Sequence, residues 1–425
     1  MEINRRVVVT GMGIISSIGN NLASYEESLT SGKSGISFLG NITKNDISVK
    51  IGAPIRDFSY QKTLKEFNSL PKKLIEKASQ FINRYSFAVQ ATILSALEAW
   101  EQSKLYKKEI LSERLGIIVA GSNLTQHLQY DLYEQFQLNP EYLTPRYGLQ
   151  FMDTDYLGAL SDIFDIHGEG MTVGGASASG NVGIIKGVQA VKFGLMDACM
   201  VSGPLINLSP MEMQGFYNMG AMGGKTFKDD PHAACRPFDV QHEGFIYGQA
   251  SGCIILESLE SAKQRGVPIL AEVVGGAIVL DGNHLSNPSE EGELRVMELA
   301  LKQAQINAEE IDYLNSHGSS SPLGDRTEVK AIRQVFEKNL SELWINSTKS
   351  LTGHCLNSAG IVEIITSIIQ IQKGFIHPNL NLNDPIDQHC KFNGNKAINA
   401  NIKFAMSNSY GFGGINSSIV LKKII

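Results

Sequence analysis

The sequence predicts a globular α/β protein in which strands and helices alternate along the whole chain. Short apolar runs rich in β-branched residues indicate buried strands, and longer stretches with apolar residues every three or four positions indicate helices. The expected strands are residues 7–10, 115–120, 198–202, 253–256 and 419–421, and the expected helices are residues 82–104 and 293–305. Because no Pro/Ser-rich linker interrupts the pattern, we expect layers of sheet and helix rather than separate, linked domains.

Composition excludes several classes of protein. A chain of 425 residues with 43% hydrophobic and 19% charged residues is large enough for a substantial core and is not disordered. Its net charge of −6 gives no support for a nucleic-acid partner, which favours a basic face. The apolar run after Gly360 contains Glu363 and is too short to span a bilayer, so we expect no membrane association.

The five cysteines suggest a reducing environment. They form no CxxC pair and no regular framework, which argues against disulfides and structural zinc. Glycines and a threonine break the apolar stretch within residues 1–19, so a first strand is expected there rather than a signal peptide. We therefore expect a cytoplasmic protein.

A weak internal repeat connects the two halves of the chain. Aligning Ser177 with His354 brings residues 183–186 onto residues 360–363, and a helical stretch follows in both places. Each half would then deliver one functional residue to the start of its own buried helix.

Three glycines mark one face of the helix expected after Ser177. Gly180, Gly183 and Gly187 are spaced at i, i+3 and i+7, and each costs about 1 kcal/mol relative to alanine in a helix interior. Close backbone approach to a neighbouring helix explains such a stripe. A chance run of small residues is the alternative.

Five segments, in order, resemble the β-ketoacyl-acyl-carrier-protein (ACP) synthases, the decarboxylating ketosynthases of fatty acid and polyketide assembly. They are residues 6–13, 236–248, 315–325, 347–354 and 410–416. The resemblance implies the thiolase fold, in which two βαβαβαββ halves pack as five αβαβα layers, and a homodimer. It divides the chain into residues 1–258, which carry Ser177, and residues 259–425, which carry His317, Lys349, His354 and Phe412.

The departure at Ser177 is the most informative, because the family places its nucleophilic cysteine there. Smaller departures are the serines at 319–321 in place of Thr-Gly-Thr, Gln249 in place of an acid, and His242-Glu243 in place of Arg-Asp. A serine at this position resembles the stand-alone decarboxylases of polyketide β-branching cassettes. Those enzymes convert malonyl-ACP into the acetyl-ACP used by a partner similar to HMG-CoA synthase.

Replacing the thiol should remove condensation. Free cysteine has a pKa of about 8.5, which a helix N-terminus lowers further, whereas a serine hydroxyl is a far weaker acid. Serine nucleophiles therefore depend on an adjacent general base. Ser177 is also not in a G-x-S-x-G elbow, because Gly175 and Ser179 occupy positions −2 and +2.

Decarboxylation needs no nucleophile, only donors placed where the enolate charge develops, each worth about 3–4 kcal/mol. By the resemblance, His317 and His354 donate N–H groups to the thioester oxygen. Lys349 would position the site and disfavour imidazolium, as would a helix beginning at His354.

The resemblance also implies roles around the catalytic pair. The Phe412 backbone N–H would join that of Ser177 in a second oxyanion hole, and its ring would act as a gate. Ser319 and Ser321 would bind the phosphopantetheine arm, unless they are an ordinary polar loop. The expected substrate-binding residues are Ser319, Ser321, Gly413 and Asn416. No metal is expected, and no organic cofactor beyond the arm of the carrier protein.

Other polar residues are expected to be structural. Asp325 and Glu363 should hold loops and pair with basic neighbours, and Cys355 should be a core cysteine rather than a relocated thiol. The histidines without motif context are His127, His167, His232, His284, His377 and His389.

The sequence therefore predicts a malonyl-ACP decarboxylase. Three roles fit Ser177: a passive isostere, a holder of the water that protonates the enolate, or a slow nucleophile, of which we favour the first two. Two alternatives stay open at this point. One is a serine-dependent acyltransferase or condensing enzyme, and the other is a non-catalytic subunit similar to chain-length factors.

Overall fold

The computed structural model describes residues 5–40, 47–283 and 286–424. Its strands are β1 (Val7–Ser16), β2 (Ser37–Phe38), β3 (Ile51–Gly52), β4 (Leu115–Ala120), β5 (Gly170–Val173), β6 (Ala198–Gly203), β7 (Ala250–Ser258), β8 (Ala271–Leu280), β9 (Tyr313–Asn315), β10 (Trp344–Asn346), β11 (Phe375–Ile376), β12 (Ile398–Asn399), β13 (Phe404–Gly411) and β14 (Ile415–Lys422). All five strands expected from the sequence are confirmed.

The helices are α1 (Leu22–Ser31), α2 (Tyr60–Leu64), α3 (Lys72–Ile82), α4 (Phe87–Ser103), α5 (Gln126–Leu138), α6 (Tyr147–Gln150), α7 (Thr154–Phe164), α8 (Ser179–Lys192), α9 (Pro210–Asn218), α10 (Leu259–Arg265), α11 (Glu290–Ala304), α12 (Pro322–Val335), α13 (Lys349–Thr352) and α14 (Ala359–Lys373). The helix expected over residues 82–104 begins later, at Phe87. The side-chain amide of Gln90 donates to the carbonyls of Ile82 (3.1 Å) and Tyr85 (3.0 Å), which stabilises the turn between α3 and α4.

The strands of the two halves meet in the middle of one sheet. Among the described residues, the order is β10-β9-β13-β14-β8-β1-β7-β6-β4-β5. The five strands on the β5 side all precede residue 259, and the five on the β10 side all follow it. Antiparallel pairing of β1 with β8, at Val8–Glu272 and Val9–Ala271, joins the two sets.

Helices cover the sheet in layers. Helix α4 packs on β1 and β7, whereas α11 packs on β8 and β14, with α12 against it. Helices α8 and α14 contact each other, and each contacts strands of both sets. The two sets therefore form two β layers with these two helices between them. The apolar run after Gly360 is α14, and every residue from Ala359 to Ile371 is buried. These are the five αβαβα layers of the thiolase fold.

The two central helices begin in the same way. A 3₁₀ turn precedes each, at 176–178 and 356–358, and its first residue has a left-handed backbone (Ala176, φ 48°; Leu356, φ 53°). A Cβ added at Gly180 would lie 2.9 Å from the Gly360 Cα, so these two helices approach through their backbones as expected.

The repeat expected from the sequence is real, but its alignment was wrong by three residues. Because Gly180 faces Gly360, Ser177 corresponds to Asn357 and not to His354. The rest of the glycine stripe contacts strands rather than a helix. A Cβ at Gly183 would meet the side chain of Ala120 in β4, and one at Gly187 would meet those of β6 and β7.

Candidate active site

A cavity of about 500 Å³ opens where the two central helices begin. The predicted site residues that line it are Ser177, His317, Ser319, Ser321, His354, Phe412 and Asn416. Lys349 lies behind the histidines and is 1% exposed. Gly413 is not among the lining residues, and its φ of 88° belongs to the turn that carries Phe412. The chain therefore brings nearly all of the predicted site to one cavity.

His317 follows the end of β9 and is fixed through its backbone. The N–H groups of His317 and Gly318 each donate to the carboxylate of Glu328 on α12, both at 2.8 Å. The ring Nδ1 accepts from the backbone N–H of Tyr410 at 3.4 Å. An accepting Nδ1 places the proton of a neutral ring on Nε2.

His354 is held in the same tautomer by a different donor. Its ring Nδ1 accepts from the backbone N–H of Leu356 at 3.0 Å, and the backbone N–H of His354 donates to the Ile246 carbonyl at 2.7 Å. The expectation that His354 opens a helix was wrong, since the 3₁₀ turn starts at Leu356 and α14 at Ala359. The strained Leu356 backbone is what aims that N–H at the ring.

The two imidazoles form a pair of neutral donors. Their ring centroids are 5.5 Å apart and their planes meet at 80°. Burial lowers the pKa of each ring well below its usual value, and the charge of Lys349 lowers both further. Among the described residues, neither Nε2 has a protein partner. Two N–H groups are thus available to one acceptor in the cavity.

The ammonium of Lys349 stands behind both rings. It donates to the Glu363 carboxylate and, at 2.6 Å, to the His317 carbonyl, while its distance to His317 Nδ1 is 3.4 Å. Glu363 also accepts from the Ser409 hydroxyl at 3.2 Å. The expected pairing of Glu363 with a basic residue is confirmed, and this pair keeps a positive charge beside the histidines.

The described residues place no hydrogen-bonded base beside Ser177. It is half-buried in the 3₁₀ turn before α8, and within the part of the chain that the structure describes its hydroxyl has no hydrogen-bond partner. Since a serine nucleophile depends on a hydrogen-bonded base, the geometry does not activate it.

The glycine turn after β13 lies against the Ser177 loop. A Cβ at Gly411 would be 2.3 Å from the Gly175 carbonyl oxygen, so these backbones touch. The next residue, Phe412, is 42% exposed at the cavity, with its ring centroid 6.3 Å from that of Phe216. The Phe412 ring therefore stands beside the opening.

Three further predicted residues have local partners. The Ser319 and Ser321 hydroxyls are 3.0 Å apart and hydrogen-bond to each other, and the Asn416 amide donates to Asp281 at 2.6 Å. Asp325 accepts from the backbone N–H of Phe238 at 2.8 Å and lies 2.9 Å from the His242 ring, which confirms its structural role.

The described histidines that were expected to be structural do not line the cavity. His127 and His167 pair with nearby aspartates, His377 is buried among polar side chains, and His284 lies outside the described residues. Burial raises the pKa of the Cys355 thiol to about 12, so it is not a relocated nucleophile.

The five cysteines are free and buried, and no group of His, Cys, Asp and Glu within residues 5–40, 47–283 and 286–424 could hold a metal. No helix in these ranges is long and apolar enough to cross a membrane.

Sequence reasoning missed Glu328, Tyr410 and Glu293. Glu328 holds the His317 backbone, Tyr410 supplies the donor that sets its tautomer, and Glu293 lines the cavity. An isolated acid on the apolar face of α11 or α12 was the only signal that the sequence offered.

Comparison with known proteins agrees with this geometry. Residues 4–262 match the model "Beta-ketoacyl synthase, N-terminal domain" and residues 270–383 match "Beta-ketoacyl synthase, C-terminal domain". The chain is 41% identical to "Polyketide biosynthesis malonyl-ACP decarboxylase PksF" of Bacillus subtilis (strain 168), over 98% of this chain and 96% of that protein. It is 31% identical to "3-oxoacyl-[acyl-carrier-protein] synthase 2" of Coxiella burnetii, over 99% of both.

Solved structures give the same relationship. "The ishigamide ketosynthase/chain length factor" superposes with a TM-score of 0.87 at 27% identity, covering 99% of this chain and 100% of that one. A type II polyketide synthase ketosynthase in complex with its acyl-carrier protein, AntDE:AntF, superposes with a TM-score of 0.86 at 25% identity and the same coverage. The chain belongs to the β-ketoacyl synthase family.

Proposed function

We propose that this protein converts malonyl-ACP into acetyl-ACP and CO2 for polyketide β-branching, and that it does not condense acyl chains. The observation that carries the proposal is a pair of neutral histidines facing one cavity in which the third functional position is a serine without a base. The polyketide malonyl-ACP decarboxylase that shares 41% of its residues supports the substrate and the reaction.

The reaction follows from where charge develops. The bond between the malonyl α-carbon and its carboxylate breaks, CO2 leaves, and the electron pair passes to the thioester, whose oxygen becomes negative. The Nε2–H groups of His317 and His354 donate to that oxygen. Because both rings are already neutral and oriented, they stabilise the enolate without reorganising.

Lys349 acts on the rings and not on the substrate. Burial lowers the pKa of both imidazoles, the Lys349 charge lowers it further, and the contacts of Lys349 with His317 and Glu363 hold one ring in place. In this reaction it is a positioning residue, whereas the two histidines are catalytic.

The carrier arm enters past Phe412. Ser319, Ser321 and Asn416 present hydroxyl and amide groups to the cavity, which suits the amides and hydroxyl of phosphopantetheine. Gly413 gives the Phe412 turn its left-handed backbone, which is the role we assign to it in place of direct contact. The arm is the only prosthetic group that this mechanism uses.

The condensing alternative requires Ser177 to accept an acyl group, and the serine hydroxyl has no hydrogen-bonded base within the described chain. A non-catalytic subunit similar to chain-length factors would not need the Lys349–Glu363 ion pair or two histidines held in fixed tautomers. Both features support an active enzyme.

We also propose a homodimer formed along the edge strand β5. Among the described residues this strand pairs with β4 on one side only, and it carries the exposed Met171. An unpaired apolar edge is a template for pairing with a second copy. Sedimentation should give twice the 46.4 kDa chain mass, and a monomer would contradict this arrangement. The free cysteines support a cytoplasmic location.

Pure protein incubated with malonyl-ACP tests the function. We expect stoichiometric CO2 and acetyl-ACP, with the same mixture lacking protein as the control. Stable malonyl-ACP in the presence of folded protein would contradict the proposal.

A further inference from the structure

One acid in the cavity has no role in the mechanism so far. Glu293, on the first turns of α11, lines the cavity together with the histidines although it is only 1% exposed. Its Oε2 is buried without a hydrogen-bond partner among the described residues. Leaving a buried polar atom unpaired costs about 1–3 kcal/mol, so its retention calls for a function.

Tyr410 marks the same part of the cavity. Its hydroxyl is also buried without a partner in the described chain, its ring lies 5.5 Å from the His317 ring, and it too lines the cavity. Glu293 is the charged group that most strongly raises the Tyr410 pKa, which makes the two side chains electrostatic neighbours. Glu293, Tyr410 and His317 thus line the same cavity.

The surroundings of Glu293 favour the protonated form of its carboxyl. Burial raises its pKa well above the usual value, and the nearby carboxyls of Glu328 and Asp281 raise it further. A carboxyl of raised pKa that lines a substrate cavity is suited to act as a general acid.

The reaction needs such an acid. After CO2 leaves, the enolate carbon must gain a proton to become the acetyl methyl group. The two histidines cannot supply it without giving up the N–H groups that hold the oxygen. Lys349 is engaged behind the rings by Glu363 and the His317 carbonyl.

The other acids that line the cavity have a hydrogen-bond partner or are too weak. Asp281 Oδ1 accepts from Asn416 at 2.6 Å, although its Oδ2 is buried without a partner among the described residues. Glu212 accepts from the backbone N–H of Ser209 at 2.8 Å as part of the cap of α9. Burial raises the pKa of Tyr410, and a serine hydroxyl is a weak acid too. Glu293 is the lining carboxyl to which the described residues donate no hydrogen bond at either oxygen.

We propose that Glu293 is the proton donor to the enolate carbon, a role that rests on the proposed decarboxylation. The C–CO2 bond breaks first, a C–H bond then forms with the Glu293 proton, and the resulting carboxylate regains its proton from solvent. No oxidant or further reactant is needed.

Glu293→Gln tests this role with little disturbance of the fold, because glutamine has the size and neutrality of a protonated carboxyl. The matched control is Glu291→Gln, an exposed neighbour on α11. For malonyl-ACP, kcat and kcat/KM are measured in H2O and D2O, and thermal unfolding is followed in parallel. Glu293→Asp shortens the side chain but keeps the carboxyl, so it should retain more of kcat than E293Q even if both variants unfold at a lower temperature.

We expect E293Q to lower kcat by at least about 10²-fold, since general acid catalysis contributes about 10²–10⁴-fold. Its solvent isotope effect on kcat should rise, while kcat/KM changes less because CO2 loss precedes protonation. E291Q should match the natural protein. Natural values of kcat and isotope effect in E293Q, or equal losses in kcat and kcat/KM, would overturn the proposal. Failure of the unmutated protein to release CO2 would instead overturn the proposed function.

Discussion

Replacing His354 with alanine should reduce decarboxylation through the loss of one oxyanion donor. The His354 ring is 4% exposed, its Nδ1 is fixed by the Leu356 N–H at 3.0 Å, and its Nε2–H has no protein partner in the described chain. One preorganised donor of this kind contributes about 2.7–4 kcal/mol, so kcat should fall about 10²–10³-fold. Because the donor acts on charge that develops only in the transition state, KM should change little.

The assay is the initial rate of CO2 release from malonyl-ACP at several substrate concentrations. His167→Ala is the control, since that ring is exposed and pairs with Asp165 away from the cavity. His354→Asn keeps an N–H donor on a shorter side chain, so its loss should be smaller than that of H354A. A folded H354A with less than about fivefold loss in kcat, or with a defect confined to KM, would refute this reasoning.

Three further expectations follow from the site and the fold. Ser177→Cys should still release CO2, and its thiol at the start of α8 should also acquire acyl groups, which mass spectrometry detects as added mass. Loss of CO2 release with normal carrier binding would show that the Ser177 hydroxyl has a direct role. Because the active histidines are neutral and their pKa values are lowered, kcat/KM should stay constant as the pH falls through 6.5 and should drop only below it. The double variant Lys349→Met, Glu363→Gln removes the nearby charge and should move that drop to higher pH. A pH profile that does not move would contradict this coupling. Gly180→Ala should lower the free energy of unfolding by about 1–3 kcal/mol, because its Cβ would meet helix backbone. Gly158→Ala in α7, which has open space around it, should be neutral or stabilising. Equal denaturation midpoints for the two variants would contradict the close packing at Gly180.

Patterns within a few residues predicted much of the fold. Apolar β-branched runs located β1, β4, β6, β7 and β14, because a strand buried on both faces has that composition. The break between α3 and α4 was missed because it depends on the Gln90 side chain folding back to two carbonyls. The repeat was misaligned because similar letters suggested a register that the contact of Gly180 with Gly360 excludes.

The sequence predicted which residues form the site but not how the tautomers of the two histidines are set. Motif resemblance identified His317, Lys349 and His354, and the structure brings them together. Their tautomers depend on backbone N–H groups of Leu356 and Tyr410, whose directions follow from folded geometry and leave no mark in the sequence.

We propose that this protein has lost carbon–carbon bond formation and has kept the ability to stabilise an enolate. Intact-mass measurement of both proteins, after pure enzyme and malonyl-ACP are mixed, tests it most directly. We expect the carrier to lose the mass of CO2 while the enzyme mass stays unchanged at every time point. An acyl adduct on Ser177 that forms and decays with turnover would contradict the claim.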